Sequence, residues 1–152
     1  VLLDKTGTIT LGNRMATEFI PAKGVKEDEI ALAAMLSSLA DDTPEGRSIV
    51  ILAKDKLKIP GRDIRAPEGS KFIKFNAETR ISGIDTRGER IRKGAIDAII
   101  GFVKSNGMEL PGDVERATGD VSGDGGTPLI VANDKRVFGV IRLKDVLKKG
   151  IK

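Results

Sequence analysis

The 152-residue sequence contains no Cys, no His, no Trp and no Tyr. Without cysteine there can be no disulfide, no thiolate nucleophile and no thiolate zinc site. Without histidine, a Ser-His-Asp triad, an imidazole general base and a His-ligated metal are removed as well. Long apolar runs are also missing. The richest, 30–36 and 49–53, are short and flanked by charge, far from the roughly 18–20 residues that span a bilayer, so the chain reads as soluble. Carboxylates, hydroxyls, Lys, Arg and the backbone are left to carry any chemistry.

What is present suffices for one ordinary domain, with 39% hydrophobic residues in a length that normally forms a single core. Lys and Arg number 26 against 22 Asp and Glu, a net charge of +4. The charges are interspersed and form no basic stripe, so a phosphate-bearing ligand is compatible but a nucleic-acid partner is not expected. The chain opens on Val1, not Met, and stops at Lys152 without a terminating pattern. It therefore reads as a piece of something longer.

Periodicity gives an α+β class with an antiparallel sheet of about six strands flanked by helices. Val1-Leu2-Leu3 is a short apolar strand ending on Asp4, and a second extended segment around Phe19-Ile20 is closed by Pro21. Residues 26–40 place Ile30, Ala33, Ala34, Leu36 and Leu39 on one helical face, with Glu27, Asp28 and Glu29 in the first turn. Thr43 can cap a second helix running to about Leu57, since Pro44 suits its first position and Glu45 its first turn. Residues 71–75, 80–85 and 89–93 then read as a three-stranded meander. On a regular strand Phe72 and Phe75 point to opposite faces, so one of them is expected in the core. Helices over 95–104 and from 111 to about 121 follow, and a hairpin pairs 127–132 with 136–143.

The densest chemical signal is Asp4-Lys5-Thr6-Gly7-Thr8-Ile9-Thr10. A carboxylate at the carboxyl end of a buried strand, followed by small and donor residues, suits nucleophilic attack on phosphorus with formation of an acyl phosphate. Thr hydroxyls and loop N–H groups would hold the phosphoryl oxygens. The Asp4 carboxylate and the backbone carbonyl of Thr6 could ligate Mg²⁺, which prefers oxygen. This stretch resembles the DKTGT phosphorylation loop of the P-type ATPases, within the wider haloacid dehalogenase-like group of aspartyl-phosphate enzymes. Phosphatases of that group usually carry a second Asp two residues after the nucleophile as general acid and base. Thr6 stands there instead, which favours a long-lived phosphoenzyme. The alternative is a small Mg²⁺-dependent haloacid dehalogenase-like phosphatase; a basic binding module, motivated by the net charge alone, is a third reading.

The resemblance extends along nearly the whole chain. Asp42-Thr43-Pro44-Glu45-Gly46-Arg47-Ser48 and Arg90-Ile91-Arg92-Lys93-Gly94-Ala95 resemble the potassium-transporting P-type ATPases of the Kdp kind. It implies a nucleotide-binding domain over 14–136, between a phosphorylation-domain segment, 1–13, and a return segment, 137–152. The outer segments are expected to be mobile, because 1–3 and 137–143 would lack most of their parent sheet. It also implies Asp4 as phosphorylated nucleophile with Lys5 and Thr6 beside it, ATP and Mg²⁺ as cofactors, and an adenine pocket of Phe75, Lys93 and Gly94. Glu45, Arg80, Ser82 and Asp97 are the implied neighbours. Phe75 would offer its ring face, Lys93 a cation on the other side, and Gly94 room for the base. Implied partners are ATP or ADP, the phosphorylation and actuator domains of the parent chain and the other subunits of a potassium pump, at the cytoplasmic side of the cell membrane. Taken singly, Lys93 reads as a solvated lysine, Glu45 as a first-turn helix acid and Arg80 as a surface strand residue. Gly123-Asp124-Gly125-Gly126-Thr127 imitates the family's later Mg²⁺-binding loop but reads as a plain glycine turn.

Overall fold

In the computed structural model, residues 14–58, 68–76, 78–86 and 88–145 are described. Strand β1 (Arg14–Pro21) leads into helices α1 (Glu27–Ser38) and α2 (Pro44–Leu57). The meander β2 (Lys71–Asn76), β3 (Ile81–Thr86) and β4 (Glu89–Gly94) follows, then α3 (Ile96–Ser105) and α4 (Gly112–Gly123). The hairpin β5 (Thr127–Ala132) and β6 (Val137–Asp145) completes the order. All pairs are antiparallel, in the order β1-β6-β5-β4-β3-β2. Among these residues no helix is long and apolar enough to cross a membrane.

Each face of the sheet has its own core. Alternation along β5 and β6 sends Val131 and Ile141 to one side, with Ile30, Met35 and Ile49 of α1 and α2. It sends Ile130 and Val140 to the other, with Ile99, Val103, Val114 and Val121 of α3 and α4. Because both faces are covered, β5 reads as the unbroken apolar run Leu129-Ile130-Val131-Ala132, without the apolar/polar alternation of a half-exposed strand. Each such fully buried side chain contributes about 1.5–3 kcal/mol.

Three expectations change. Helix α1 is not one-sided: Ala31 and Met35 are buried along with Ile30, Ala33 and Ala34, because α2 packs on one flank and the sheet on the other. Residues 137–143 are no loose stub but part of strand β6, which lies inside the sheet between β1 and β5, with Val140 and Ile141 fully buried. Val1–Leu3 lie outside the described residues, so the companion expectation for them does not arise. Finally, neither Phe72 nor Phe75 enters the core. They are 45% and 40% exposed, since β2 is the edge strand and its register breaks between Ile73 and Asn76.

Gly123 ends α4, and Asp124 and Gly125 form the turn that follows, with Gly125 at φ 84°. Asn106 and Gly107 close α3, the latter at φ 77°.

Candidate functional site

The cleft that the folded chain forms around the sequence candidates opens where β4 ends. Its volume is about 490 Å³, and its wall includes Asp41, Thr43, Glu45, Phe75, Arg80, Lys93 and Gly94. Ala95, Pro128, Leu129 and Leu143 make it largely apolar, and Arg14 and Thr127 stand on the β1 and β5 side. Arg14 Nη1 donates to Thr127 Oγ1 at 3.5 Å.

The α1–α2 junction builds one wall. Thr43 is extended, and its Oγ1 accepts from the Gly46 N–H at 3.0 Å, capping α2 as its sequence predicts. The Thr43 hydroxyl in turn donates to Asp41 Oδ1 at 2.6 Å, and its backbone N–H donates to the same oxygen at 3.0 Å. The other oxygen, Oδ2, accepts from the Lys93 ammonium at 2.7 Å. The two side chains are 2% and 3% exposed, so this is a desolvated ion pair. A Cβ on Gly46 would lie 2.4 Å from the Asp41 carboxyl carbon, so no other residue at 46 permits this approach without displacement.

Electrostatics follow from that burial. Desolvation pulls the Lys93 ammonium below the usual lysine range, with Asp41 and then Glu45 opposing the shift. For Asp41, burial alone would raise the carboxyl, but the Lys93 charge, its hydrogen bond and both Thr43 donors outweigh it and hold the group low. Lys93 is therefore no solvated lysine.

The lip of the cleft is the β2–β3 turn. Asn76 Oδ1 accepts from the Glu78 N–H at 2.7 Å, and the chain re-enters β3 through Arg80, a non-glycine residue at φ 59°. Arg80 reaches Asp97 in the first turn of α3 in a close ion pair that lowers the Asp97 carboxyl, mainly through the hydrogen bond. Gly94 lines the cleft, but a Cβ there would meet the Arg80 carbonyl oxygen at 2.4 Å. The demand for glycine at 94 thus comes first from the close approach of the Arg80 carbonyl, at the entry to β3, to the end of β4.

The structure therefore gathers Glu45, Phe75, Arg80, Lys93 and Gly94 around one cleft. Asp97 sits behind Arg80 and is not on the wall. Ser82 is fully buried and donates to the Ser37 carbonyl at 3.0 Å, tying β3 to α1 instead of facing the cleft. Asp4, Lys5 and Thr6 lie outside the described residues. Among the described residues no cluster of acidic side chains could hold a metal ion. Sequence reasoning did not single out Asp41, Arg14 or Thr127. Asp41-Asp42 looks like an ordinary polar loop, and the other two are brought in by sheet register from positions 113 residues apart.

An apolar recess with an exposed aromatic ring face, a buried cation and two arginines among its walls suits a flat heteroaromatic ring carrying negative charge. The architecture around it, an open antiparallel sheet with a helix pair on each face, is that of P-type ATPase nucleotide-binding domains. A zinc-transporting PIB-type ATPase superposes over 94% of this chain and 21% of its own with a TM-score of 0.61 and 25% identity. The N-domain of HMA6, a copper-transporting P-type ATPase, covers 86% of this chain and 98% of its own, with a TM-score of 0.60 and 18% identity, which speaks to fold alone. No family model matches the chain. At the level of sequence, it is 55% identical over all 152 residues to the potassium-transporting ATPase ATP-binding subunit of Erwinia tasmaniensis, and 56% to that of Serratia proteamaculans. The chain spans 22% of the length of these relatives. It belongs to the P-type ATPase family, as a nucleotide-binding domain.

Proposed function

We propose that this chain is the ATP-reading domain of a potassium-transporting P-type ATPase, with adenine seated in the cleft against Phe75 and beside Lys93 and Gly94. The observation that carries the reading is the exposed Phe75 ring facing an apolar recess whose wall holds a buried lysine. Glu45, Arg80 and Arg14 supply charge around the recess, Asp97 steadies Arg80, and Ser82 supports the β3 wall from within. In this reading ATP bound here phosphorylates Asp4, with Lys5 and Thr6 beside it. The Asp4 carboxylate and the Thr6 carbonyl would hold Mg²⁺, being hard oxygen donors of the kind it prefers, and the ion would supply positive charge against the phosphoryl oxygens.

The acyl phosphate persists because Thr6 offers no general base to activate water. The fragment by itself binds nucleotide but does not turn it over. The larger protein uses that intermediate, through its phosphorylation and actuator domains and the pump's other subunits, to import K⁺ at the cytoplasmic face of the membrane. The names of the sequence relatives support this assignment.

The test is an isotope-labelled titration with ATP, ADP and GTP, with and without Mg²⁺, on the chain and on Phe75→Ala. Adenine-selective, saturable shifts at Phe75, Lys93 and Gly94 are expected, little changed by Mg²⁺. Loss of the stacking ring weakens binding by about 1–3 kcal/mol, roughly 5- to 150-fold. Equal affinity for GTP, or a Phe75→Ala variant that binds ATP unchanged, overturns the pocket.

A further inference from the structure

Lys93 differs from an ordinary binding lysine in being desolvated before any ligand arrives. Its side chain is 3% exposed, and the hydrogen bond that the structure gives its ammonium goes to Asp41, itself 2% exposed. Asp41 is not held by Lys93 alone. Two donors of Thr43 fix its other oxygen, and Thr43 is anchored through the Gly46 N–H to the first turn of α2. The relay therefore runs from a helix N-terminus, through a threonine and a carboxylate, to a cation on the cleft wall. A lysine on a four-carbon stem is a poorly fixed point charge unless something of this kind holds it.

We infer that Asp41 is a positioning residue for nucleotide binding: its carboxylate, oriented by Thr43, fixes the Lys93 ammonium on the cleft wall and supplies the counter-charge that lets it stay protonated there. The inference rests on the nucleotide reading of the cleft and adds to it a residue and a dependence on pH. The charged groups around Lys93 are Asp41 from the α1–α2 loop, Glu45 from α2, Arg80 with Asp97 from the β2–β3 turn and α3, and Arg14 from β1. Asp41 is the controlling group, because it touches the ammonium while Glu45 acts on it through its field alone. Replacing it with Asn keeps the shape and removes the charge. Burial then strips the proton from Lys93 at a lower pH than in the parent chain.

The experiment is calorimetric titration with ATP between about pH 6 and pH 9, a range in which a desolvated lysine can titrate. The parent chain, Asp41→Asn, Asp41→Glu and Glu29→Gln are compared, each checked for folding by circular dichroism. Glu29 pairs with Arg136 at 2.6 Å away from the cleft and controls for loss of an unrelated ion pair. Asp41→Asn is expected to bind about tenfold more weakly at neutral pH, the scale of a charged hydrogen bond, and to lose affinity further as pH rises. Asp41→Glu should restore part of the affinity and the flatter profile, and Glu29→Gln should match the parent chain.

An Asp41→Asn protein that binds ATP with parental affinity and pH profile overturns the inference, leaving the pair a purely structural one. If the parent chain itself does not bind ATP, the nucleotide reading has failed, and that is seen before any variant is made. Should Asp41→Asn not fold, the ammonium of Lys93 is observed directly by nitrogen-15 NMR in the parent chain. A proton-exchange-protected Nζ signal that moves when ATP is added supports the inference. Its absence, or indifference to ATP, overturns it.

Discussion

Lys93→Met is the perturbation whose consequence the structure sets most tightly. It preserves an unbranched side chain of similar length but leaves the Asp41 carboxylate buried without its cation. Breaking a buried pair from one side costs about 3–5 kcal/mol, because the remaining charge is uncompensated. Both partners are almost completely desolvated, so no discount for solvent screening applies. For a domain whose total stability is of order 5–15 kcal/mol this is a large fraction. At roughly 2–4 °C per kcal/mol for a chain of this size, the melting temperature should fall by about 10 °C.

The pH dependence gives the sharper test. In the parent chain the folded Asp41 value lies below the unfolded value, so its contribution is present above about pH 3.9 and is lost as pH falls through the lower folded value. The folded Lys93 value is also low, so its burial costs stability at neutral pH, and stability rises with pH between the folded value and about 10.4. In Lys93→Met the burial that raises Asp41 is opposed only by Thr43, so the folded carboxyl moves above its unfolded value. The sign then reverses, and the variant gains stability as pH falls. Urea unfolding of both proteins at about pH 7 and pH 4.5 measures this. A deficit that does not shrink on acidification, or no deficit at neutral pH, refutes the account.

Three further outcomes follow from the same wall. Thr43→Ala removes the α2 cap and a donor to Asp41, and should cost about 0.5–2 kcal/mol by chemical denaturation, with Thr43→Ser close to neutral. Gly94→Ala drives a methyl group to 2.4 Å from the Arg80 carbonyl oxygen. It should lower stability by about 1–3 kcal/mol and shift the amide resonances of 80 and 81 even without nucleotide. Arg80→Ala should return the Asp97 carboxyl toward the ordinary aspartate range in an NMR titration, since the guanidinium is the main cause of its lowering; an unchanged Asp97 would contradict the ion pair.

What sequence determined by itself was local. Thr43-Pro44-Glu45 specifies a helix start because the cap, the fixed φ of proline and the first-turn acid all act within one turn. The meander 71–94 and the hairpin around Asn133-Asp134-Lys135 were legible because turn residues and strand alternation are likewise short-range signals. The family resemblance named Phe75, Lys93, Gly94, Glu45, Arg80, Ser82 and Asp97; the first five line one cleft, while Ser82 is buried against Ser37 and Asp97 stands behind Arg80.

Only the tertiary structure decided the rest. Whether Phe72 or Phe75 is buried depends on β2 being the outermost strand with a broken register, which no periodicity records. Residues 137–143 become an interior strand because β1, more than a hundred residues earlier, pairs with them. Asp41 meets Lys93 across 52 residues. The energy that makes that pair matter is desolvation, a property of everything packed around two side chains and not of either residue's place in the sequence.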